Sequence, residues 1–276
     1  MPWSEGLGVV GLGRMAQALL LPLLQAGLID RTSVRAAVAS EASARGLTEA
    51  LGIEVSTEAT RAWASPLVLL AVKPQQVETV AHTAAATLED AQARAPGGRQ
   101  PLLISVLAGV SLRRLQALFP GRACVRAVPN TPALVQAGLT GISWGDGVGA
   151  DQREEVRQLF AQVGEVLDLP EAQLDPFLAL TSSGPAFLAL VAEAMADGAV
   201  AAGLPRSLAM HLTHRTLAGT AALLQGQELH PGQLKDMVTS PAGTTAAGLR
   251  ELERAGVRSA LIEAVLAAAE RSRQLA

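Results

Sequence analysis

Tyrosine is missing altogether, and the other aromatics are only four phenylalanines and three tryptophans in 276 residues. The core must therefore be built from Leu, Val and Ala, and small alanines let helices pack closely. Cysteine occurs once, as Cys124, which excludes an internal disulfide and fits a reducing compartment. The net charge is −3 with no basic block, so nucleic-acid binding is not expected. No segment approaches the ~20 uncharged apolar residues of a spanning helix, so no membrane insertion is expected. Met1 is followed by Pro-Trp-Ser-Glu, not by the charged and apolar regions of a signal peptide, and a cytoplasmic location is expected. His211 and His214 lie one helical turn apart without a third ligand, a poor zinc site, and no metal is expected. Ser183 is not in a G-x-S-x-G elbow and no Ser-His-Asp set stands out, so hydrolysis is not expected.

The length allows one large domain or two ordinary ones. Leu7 to Ala16 reads as an apolar run, a glycine turn and the start of a helix. Gly11, Gly13 and Ala16 match G-x-G-x-x-A: the first glycine turns the chain, the second lets a pyrophosphate reach the backbone, and the small third residue lets helix and strand pack. Gly11, Leu12, Gly13, Arg14 and Met15 are thus expected to bind a dinucleotide. Pro22 should kink or end the helix from Met15 to Ala26. Strands are expected over Val34–Ala39, Ile53–Val55, Leu67–Val72 and Leu102–Leu107, with helices over Ser43–Leu51 and Gln75–Leu88. That alternation predicts a doubly wound parallel sheet, covered on both faces. Ligands in such sheets sit beyond the carboxyl ends of the strands. Ser40, Ala71-Val72-Lys73-Pro74 and Ala108-Gly109 should gather there. Lys73 is either a solvated loop lysine or a cofactor neighbour. The hydroxyl of Ser40 at the strand tip and Arg45 one turn on favour NADP, whereas Glu41 argues for NAD. Arg94 to Gln100 reads as a surface loop.

Arg122 to Val128 reads as the next strand. It runs into Pro129-Asn-Thr-Pro132, either a rigid turn or part of the crevice wall through Asn130. A strand over Leu139–Trp144, a helix over Asp151–Val163 capped by Asp151, and a last strand over Gly164–Leu169 end the sheet. The boundary is expected near Pro170, dividing the chain into 1–168 and 169–276. The second half reads as all helical. Asp175-Pro176 opens a long helix through Thr181-Ser-Ser-Gly-Pro185, where Gly184 and Pro185 either kink the helix or thin it for a close approach. From Ala186 to Ala202 the only polar residues are Glu193 and Asp197. Such a helix must be buried on most sides. This half cannot supply that cover alone, which implies a helical subunit interface. Further helices are expected from Pro205 to Gln225, from His230-Pro231 to Thr239, and over Val257–Leu275. Between them, the Gly- and Thr-rich stretch Leu234–Leu249 opens a helix reaching about Arg254. Thr244, Thr245 and the N–H groups from Gly243 onward should point out of its N-terminus, as an ordinary cap or as a grip for a small carboxylate.

Together these motifs resemble the pyrroline-5-carboxylate reductase family along essentially the whole chain. The resemblance rests on Gly11-Leu-Gly-Arg-Met-Ala16, Ala71-Val-Lys-Pro74, Ala108-Gly-Val110, Pro129-Asn-Thr-Pro132 and Ser183-Gly-Pro185. Its most specific part is His230-Pro-Gly-Gln-Leu-Lys-Asp236 with Thr239-Ser-Pro-Ala-Gly-Thr-Thr245. It implies a Rossmann-type domain followed by a helical dimerisation domain, NADPH or NADH as donor, and pyrroline-5-carboxylate as substrate. It also implies dimers, often in larger rings, with a substrate site shared between subunits. By the family pattern Ser240, Gly243, Thr244 and Thr245 contact the substrate, Glu228 belongs to the same region, and Thr245 is the candidate to bond the imine nitrogen. Three departures stand out: Thr181-Ser-Ser-Gly-Pro where S-G-S-G-P is usual, Phe187 where Tyr is frequent, and Pro241-Ala-Gly where P-G-G is usual. Ala242 thus meets a backbone angle that suits glycine. Rival readings are a non-catalytic dinucleotide sensor, which would not need the 240–245 loop, and a β-hydroxyacid dehydrogenase. The latter would want a lysine early in the second half, and none stands between Pro170 and Leu234.

Overall fold

A computed structural model describes residues 6–93 and 100–275, so the expected loop from Arg94 lies outside it except for Gln100. The first elements are β1 (Leu7–Val10), α1 (Arg14–Gln25), β2 (Val34–Ala37), α2 (Glu41–Leu51), β3 (Glu54–Ser56), α3 (Thr60–Trp63) and β4 (Leu67–Leu70). There follow α4 (Val77–Ala93), β5 (Leu102–Ser105), α5 (Leu112–Leu118), β6 (Ala123–Pro129), β7 (Gly138–Trp144), α6 (Ala150–Ala161) and β8 (Gly164–Asp168). The remainder is helical: α7 (Leu174–Thr181), α8 (Gly184–Ala201), α9 (Arg206–Gly226), α10 (Pro231–Met237), α11 (Thr244–Arg254) and α12 (Val257–Gln274).

The strands form one 8-stranded sheet in the order β3-β2-β1-β4-β5-β6-β7-β8. Central β1 pairs in parallel on both edges, with Leu7 opposite Val34 and Leu67. One pair departs from the expected parallel pattern: β6 and β7 run antiparallel, Val125 facing Trp144 and Pro129 facing Thr140. The connection between them holds only a 3-10 turn, Thr131–Val135. A parallel return needs a crossover of a dozen or more residues, so this short link can only fold back. The apolar runs also stop pairing early, at Ala37, Leu70 and Ser105. The residues just past β2 and β4, Val38, Ala39, Ala71 and Val72, line a crevice. The third strand is Glu54–Ser56, one residue beyond the expected span.

Successive side chains along a strand point to opposite faces, and the central strands supply two cores. Val9, Leu69, Ile104 and Val125 pack under Leu19, Leu20 and Leu23 of α1. Val10, Leu70 and Leu103 pack on the other face against Trp63, Val77, Leu115 and Phe119. Two of the few aromatics do concentrated work there. The Trp63 and Phe119 rings stack at 5.3 Å, and the guanidinium of buried Arg122 lies 5.9 Å from the Trp63 centroid. Arg122 donates to the backbone carbonyls of Trp63, Ser65 and Leu102. The cap of α6 differs from expectation. Gly149, not Asp151, caps α6, with Gln152 accepting from the Gly149 N–H at 3.1 Å. Asp151 instead sits in the first turn, where its charge suits the helix dipole. Pro22 lies inside α1, which runs on as far as Gln25.

The chain divides into two compact units, one up to Ser182 together with Ala268 onward, the other Ser183–Ala267. α7 belongs with the sheet because Asn130 donates to the Thr181 carbonyl at 3.0 Å and Ser182 to the Pro129 carbonyl at 3.1 Å. Arg126, buried at 4% exposure, bonds Asp175 at 2.8 Å and Glu171 at 3.3 Å. In the second unit, α8 buries only Ala192 and Ala196. Leu188, Leu190 and Met195 stay exposed, as do Leu208, Leu212 and Leu223 of α9 and Leu261, Ile262 and Leu266 of α12. The burial expected for α8 is therefore not supplied within one chain. A surface this apolar marks an association face. One helical stretch among the described residues, Glu171–Ala201, does reach the length and apolarity of a membrane span, with a mean hydropathy of 1.5. It is interrupted at Ser182-Ser183 and carries Glu171, Asp175, Glu193 and Asp197.

Burial pushes the Cys124 thiol up to about 12, with Arg122 pulling the other way. Thiolate is the reactive form. A thiol reagent at mildly alkaline pH should leave the folded protein unlabelled and modify Cys124 fully once denaturant is added. Rapid labelling without denaturant would show that the Trp63 face of the sheet opens readily.

Candidate functional site

The loops beyond the carboxyl ends of β1, β2 and β4 enclose a cavity of about 680 Å³. At its floor the chain leaves β1 through Gly11, whose φ of 91° is left-handed and whose N–H donates to the Ala37 carbonyl at 2.9 Å. A Cβ on Gly11 would lie 2.7 Å from the Ala71 oxygen and 2.8 Å from the Val72 nitrogen. Only a glycine lets this turn nest on the end of β4. Gly13 is extended and caps α1, and a Cβ on it would meet no described atom within 4 Å. The open space lies directly over the N-terminus of α1. The N–H groups of Arg14, Met15 and Ala16 open that helix and lack intrahelical acceptors, and its first turn has no acidic residue. Ala16, fully buried, lets the helix lie close on the sheet. A cradle that a Cβ would fill, closed by an uncompensated helix N-terminus, fits a diphosphate.

The cavity wall includes Gly11, Leu12, Gly13, Ala71, Val72 and Lys73 among the residues expected to bind a cofactor. Arg14 and Met15 open α1 beside it, and Pro74 begins the 3-10 turn after Lys73. Ser40, Ala108, Gly109 and Asn130 lie outside the lining. The Ser40 hydroxyl accepts the Ser43 N–H at 3.3 Å as the cap of α2. The Asn130 side chain is buried and engaged at both ends, donating to Thr181 and accepting the Leu139 N–H at 2.8 Å. Several liners escaped the sequence reading, among them Gln17, Ser43, Leu47, Thr57, Gln76 and Thr83. Gln17 stands one helical turn after Gly13 and donates to the Leu12 carbonyl at 2.9 Å, bracing the turn. Its spacing was a usable signal, as was the place of Thr57 just past β3. The Glu41 carboxylate accepts the Thr57 hydroxyl at 2.6 Å, so an acid stands beside the wall without lining it. Arg45 is exposed and outside the lining.

The second unit holds the other expected residues. Glu228 follows α9 with φ 48°. His230 caps α10, its Nδ1 accepting from the Gly232 N–H and its own N–H bonding Gln233, both at 3.0 Å. Thr239 donates to the Lys235 carbonyl at 2.6 Å. The chain then turns at Ser240–Gly243, where the Gly243 N–H meets the Ser240 carbonyl at 3.0 Å. Ala242 sits in this turn at φ 56°, a left-handed angle. α11 begins at Thr244 with Gly243 as its cap, and no side chain among the described residues bonds that cap. The threonines do not cap the helix, as hydroxyl preferences suggested; they are its first two residues. The first-turn N–H groups thus face an end with no acid of its own. Among the described residues no group of three or more His, Cys, Asp or Glu side chains stands together as a metal site.

Two family models match the chain in separate stretches. Residues 6–109 match the family model described as NADP oxidoreductase, coenzyme F420-dependent, and residues 171–275 match pyrroline-5-carboxylate reductase dimerisation. A pyrroline-5-carboxylate reductase of Synechocystis is 43% identical, over 99% of this chain and 98% of its own length. One from Glycine max is 38% identical over 99% and 96%. The solved structure of a Plasmodium falciparum pyrroline carboxylate reductase with NADP bound superposes with a TM-score of 0.87, at 26% identity, over 98% of both chains.

Holding alanine in a left-handed conformation costs ~1–2 kcal/mol, while glycine there adds ~0.4–1 kcal/mol of unfolded-chain entropy. Ala242→Gly should therefore raise stability by about 0.5–1 kcal/mol in urea unfolding. A clear loss of stability would show that this turn does not hold the left-handed angle.

Proposed function

The chain belongs to the pyrroline-5-carboxylate reductase family, and from that premise we propose how its residues reduce L-1-pyrroline-5-carboxylate to L-proline with NADPH. The observation that carries the reading is the glycine-capped, acid-free end of α11, preceded by the turn at Ser240. The substrate is a five-membered cyclic imine bearing a carboxylate. That carboxylate suits the N–H groups of Thr244 and Thr245 and the hydroxyls around them, each charge-assisted bond being worth ~1.5–3 kcal/mol. Ser240 and Gly243 complete the carboxylate-binding region, and Glu228 belongs to the same substrate region. The Thr245 hydroxyl bonds the imine nitrogen and orients the ring, and the proton on that nitrogen comes from water. Orientation of this kind supplies several kcal/mol of the barrier, up to about 7–11 in ideal cases.

A nicotinamide dinucleotide supplies the hydride. The turn from Gly11 to Met15 holds its pyrophosphate on the N-terminus of α1. Ala71-Val-Lys-Pro74, Ala108-Gly109 and Asn130 flank it further along the crevice. NADPH is the proposed donor over NADH. This choice is supported by the hydroxyls of Ser43 and Thr57 in the wall, Ser40 at the strand tip, and the engagement of Glu41 by Thr57. The exposed apolar faces of α8, α9 and α12 support self-association through the second unit as dimers, with rings of dimers as the larger form. A cytoplasmic, soluble enzyme without nucleic-acid partners is supported by the single buried thiol and the absence of a basic block.

The decisive assay follows NADPH oxidation with pyrroline-5-carboxylate, repeated with NADH and then in reverse with 3-hydroxy acids. Turnover on the imine is expected, and its absence in a protein that binds the dinucleotide would overturn the reading. Thr245→Ala should lower kcat/KM for the imine at least about tenfold, a loss of ~1.4 kcal/mol, with dinucleotide affinity unchanged. Unaltered kinetics would remove Thr245 from the reacting centre.

A further inference from the structure

The turn after β5 is held in an unusual way. At its start the Val106 N–H donates to the Leu70 carbonyl at 3.0 Å, next to the cavity liners Ala71 and Val72. At its end the Leu112 N–H donates to the Glu171 carboxylate at 2.7 Å. Between these pins stands Gly109, left-handed at φ 75°. A Cβ there would lie 2.8 Å from the Leu275 Cβ and 2.9 Å from the Ser272 carbonyl oxygen. The middle of the turn therefore rests directly on the C-terminal end of α12, against the Leu275 Cβ and the Ser272 carbonyl.

That C-terminal turn is itself anchored by charge. Ser272, 2% exposed, donates its hydroxyl to the Asp175 carboxylate at 2.9 Å. The same oxygen takes a bond from Arg126 at 2.8 Å, and Arg126 also bonds Glu171, the residue that pins Leu112. One buried guanidinium thus ties the far end of the turn and the element under its middle to a single point on β6. A glycine is the residue with most freedom to move when such a support is removed.

We propose that Ser272 and Leu275 are positioning residues of the dinucleotide site, holding the Ala108-Gly109 turn in the one conformation that meets the bound cofactor. The proposal rests on the reading that this turn flanks the dinucleotide. Neither residue touches the reacting atoms; both act through Gly109. Their loss should weaken dinucleotide binding while leaving the imine's own grip at α11 intact.

The test is direct titration of the full-length protein with NADPH, alongside imine kinetics at saturating NADPH and thermal unfolding. Leu275→Gly, Ser272→Ala and the double variant should raise the NADPH Kd, the double variant by about tenfold or more. The KM for the imine should stay within about twofold, and Ser272→Thr should keep the original Kd. Leu275→Gly removes the Cβ that lies nearest Gly109, on a half-buried residue just past α12, so it reports on the contact even if the double variant does not fold. An unchanged Kd in folded variants would overturn the proposal. So would parallel rises in Kd and imine KM, which indicate general loosening. A parent protein that binds NADPH yet ignores the imine would sink the proposed reaction instead, and the titration would still decide the role of the C-terminal turn.

Discussion

The approach of one backbone to another at Gly11 is the constraint on which the first unit turns. The chain leaving β1 must pass within contact distance of the end of β4, and the Ala71 carbonyl occupies the place a side chain would need. Because that turn sits so low, α1 can start immediately above the sheet with its first N–H groups facing open space. Two strand ends are thereby fixed against each other, and the cavity between the loops takes its shape from them. A bulkier residue would lift the turn, displace the helix end and fill the cradle in one stroke.

Charge does for the far side of the sheet what glycine does for the near side. Arg126 gathers Glu171 and Asp175, and through them α5, α7 and the last turn of α12. A buried guanidinium is costly to desolvate, and Arg126 pairs its two terminal nitrogens with carboxylates while its Nε finds no partner among the described residues. Here its bonds go to segments far apart in sequence, so the cluster specifies a tertiary arrangement more than it adds bulk stability. The aromatic-poor composition makes such specification useful. Leu, Val and Ala fill space well but discriminate weakly among alternative packings.

Local signals were legible and tertiary ones were not. Gly11, Gly13 and Ala16 announce a turn and helix because the whole motif lies within one turn of chain. The strands announce themselves as apolar runs, and their two-faced burial follows from period-two alternation. Direction is another matter. Nothing in the β7 pattern says that it runs antiparallel, although the brevity of its link to β6 contains the answer. The cap of α11 was misread because Thr has the stronger reputation at that position, yet Gly243 takes it and leaves Thr244 and Thr245 inside the helix. The left-handed angle at Ala242 was foreshadowed by the glycine usual there. Pairings such as Glu41 with Thr57, Asn130 with Thr181, or Gly109 against Leu275 have no local signature. They exist only once the sheet has assembled, and they carry much of what surrounds the site.

The bare flank of α8 bears on how the molecule comes into being. In the dimer proposed above, a helix with leucines and a methionine facing outward finds its cover only when another copy arrives. Maturation then includes a second-order step, so refolding yield depends on how soon two chains meet. Extreme dilution starves that encounter, while crowding of half-made chains invites wrong ones. The last stage of assembly is therefore governed by collision frequency as much as by any contact inside a single polypeptide.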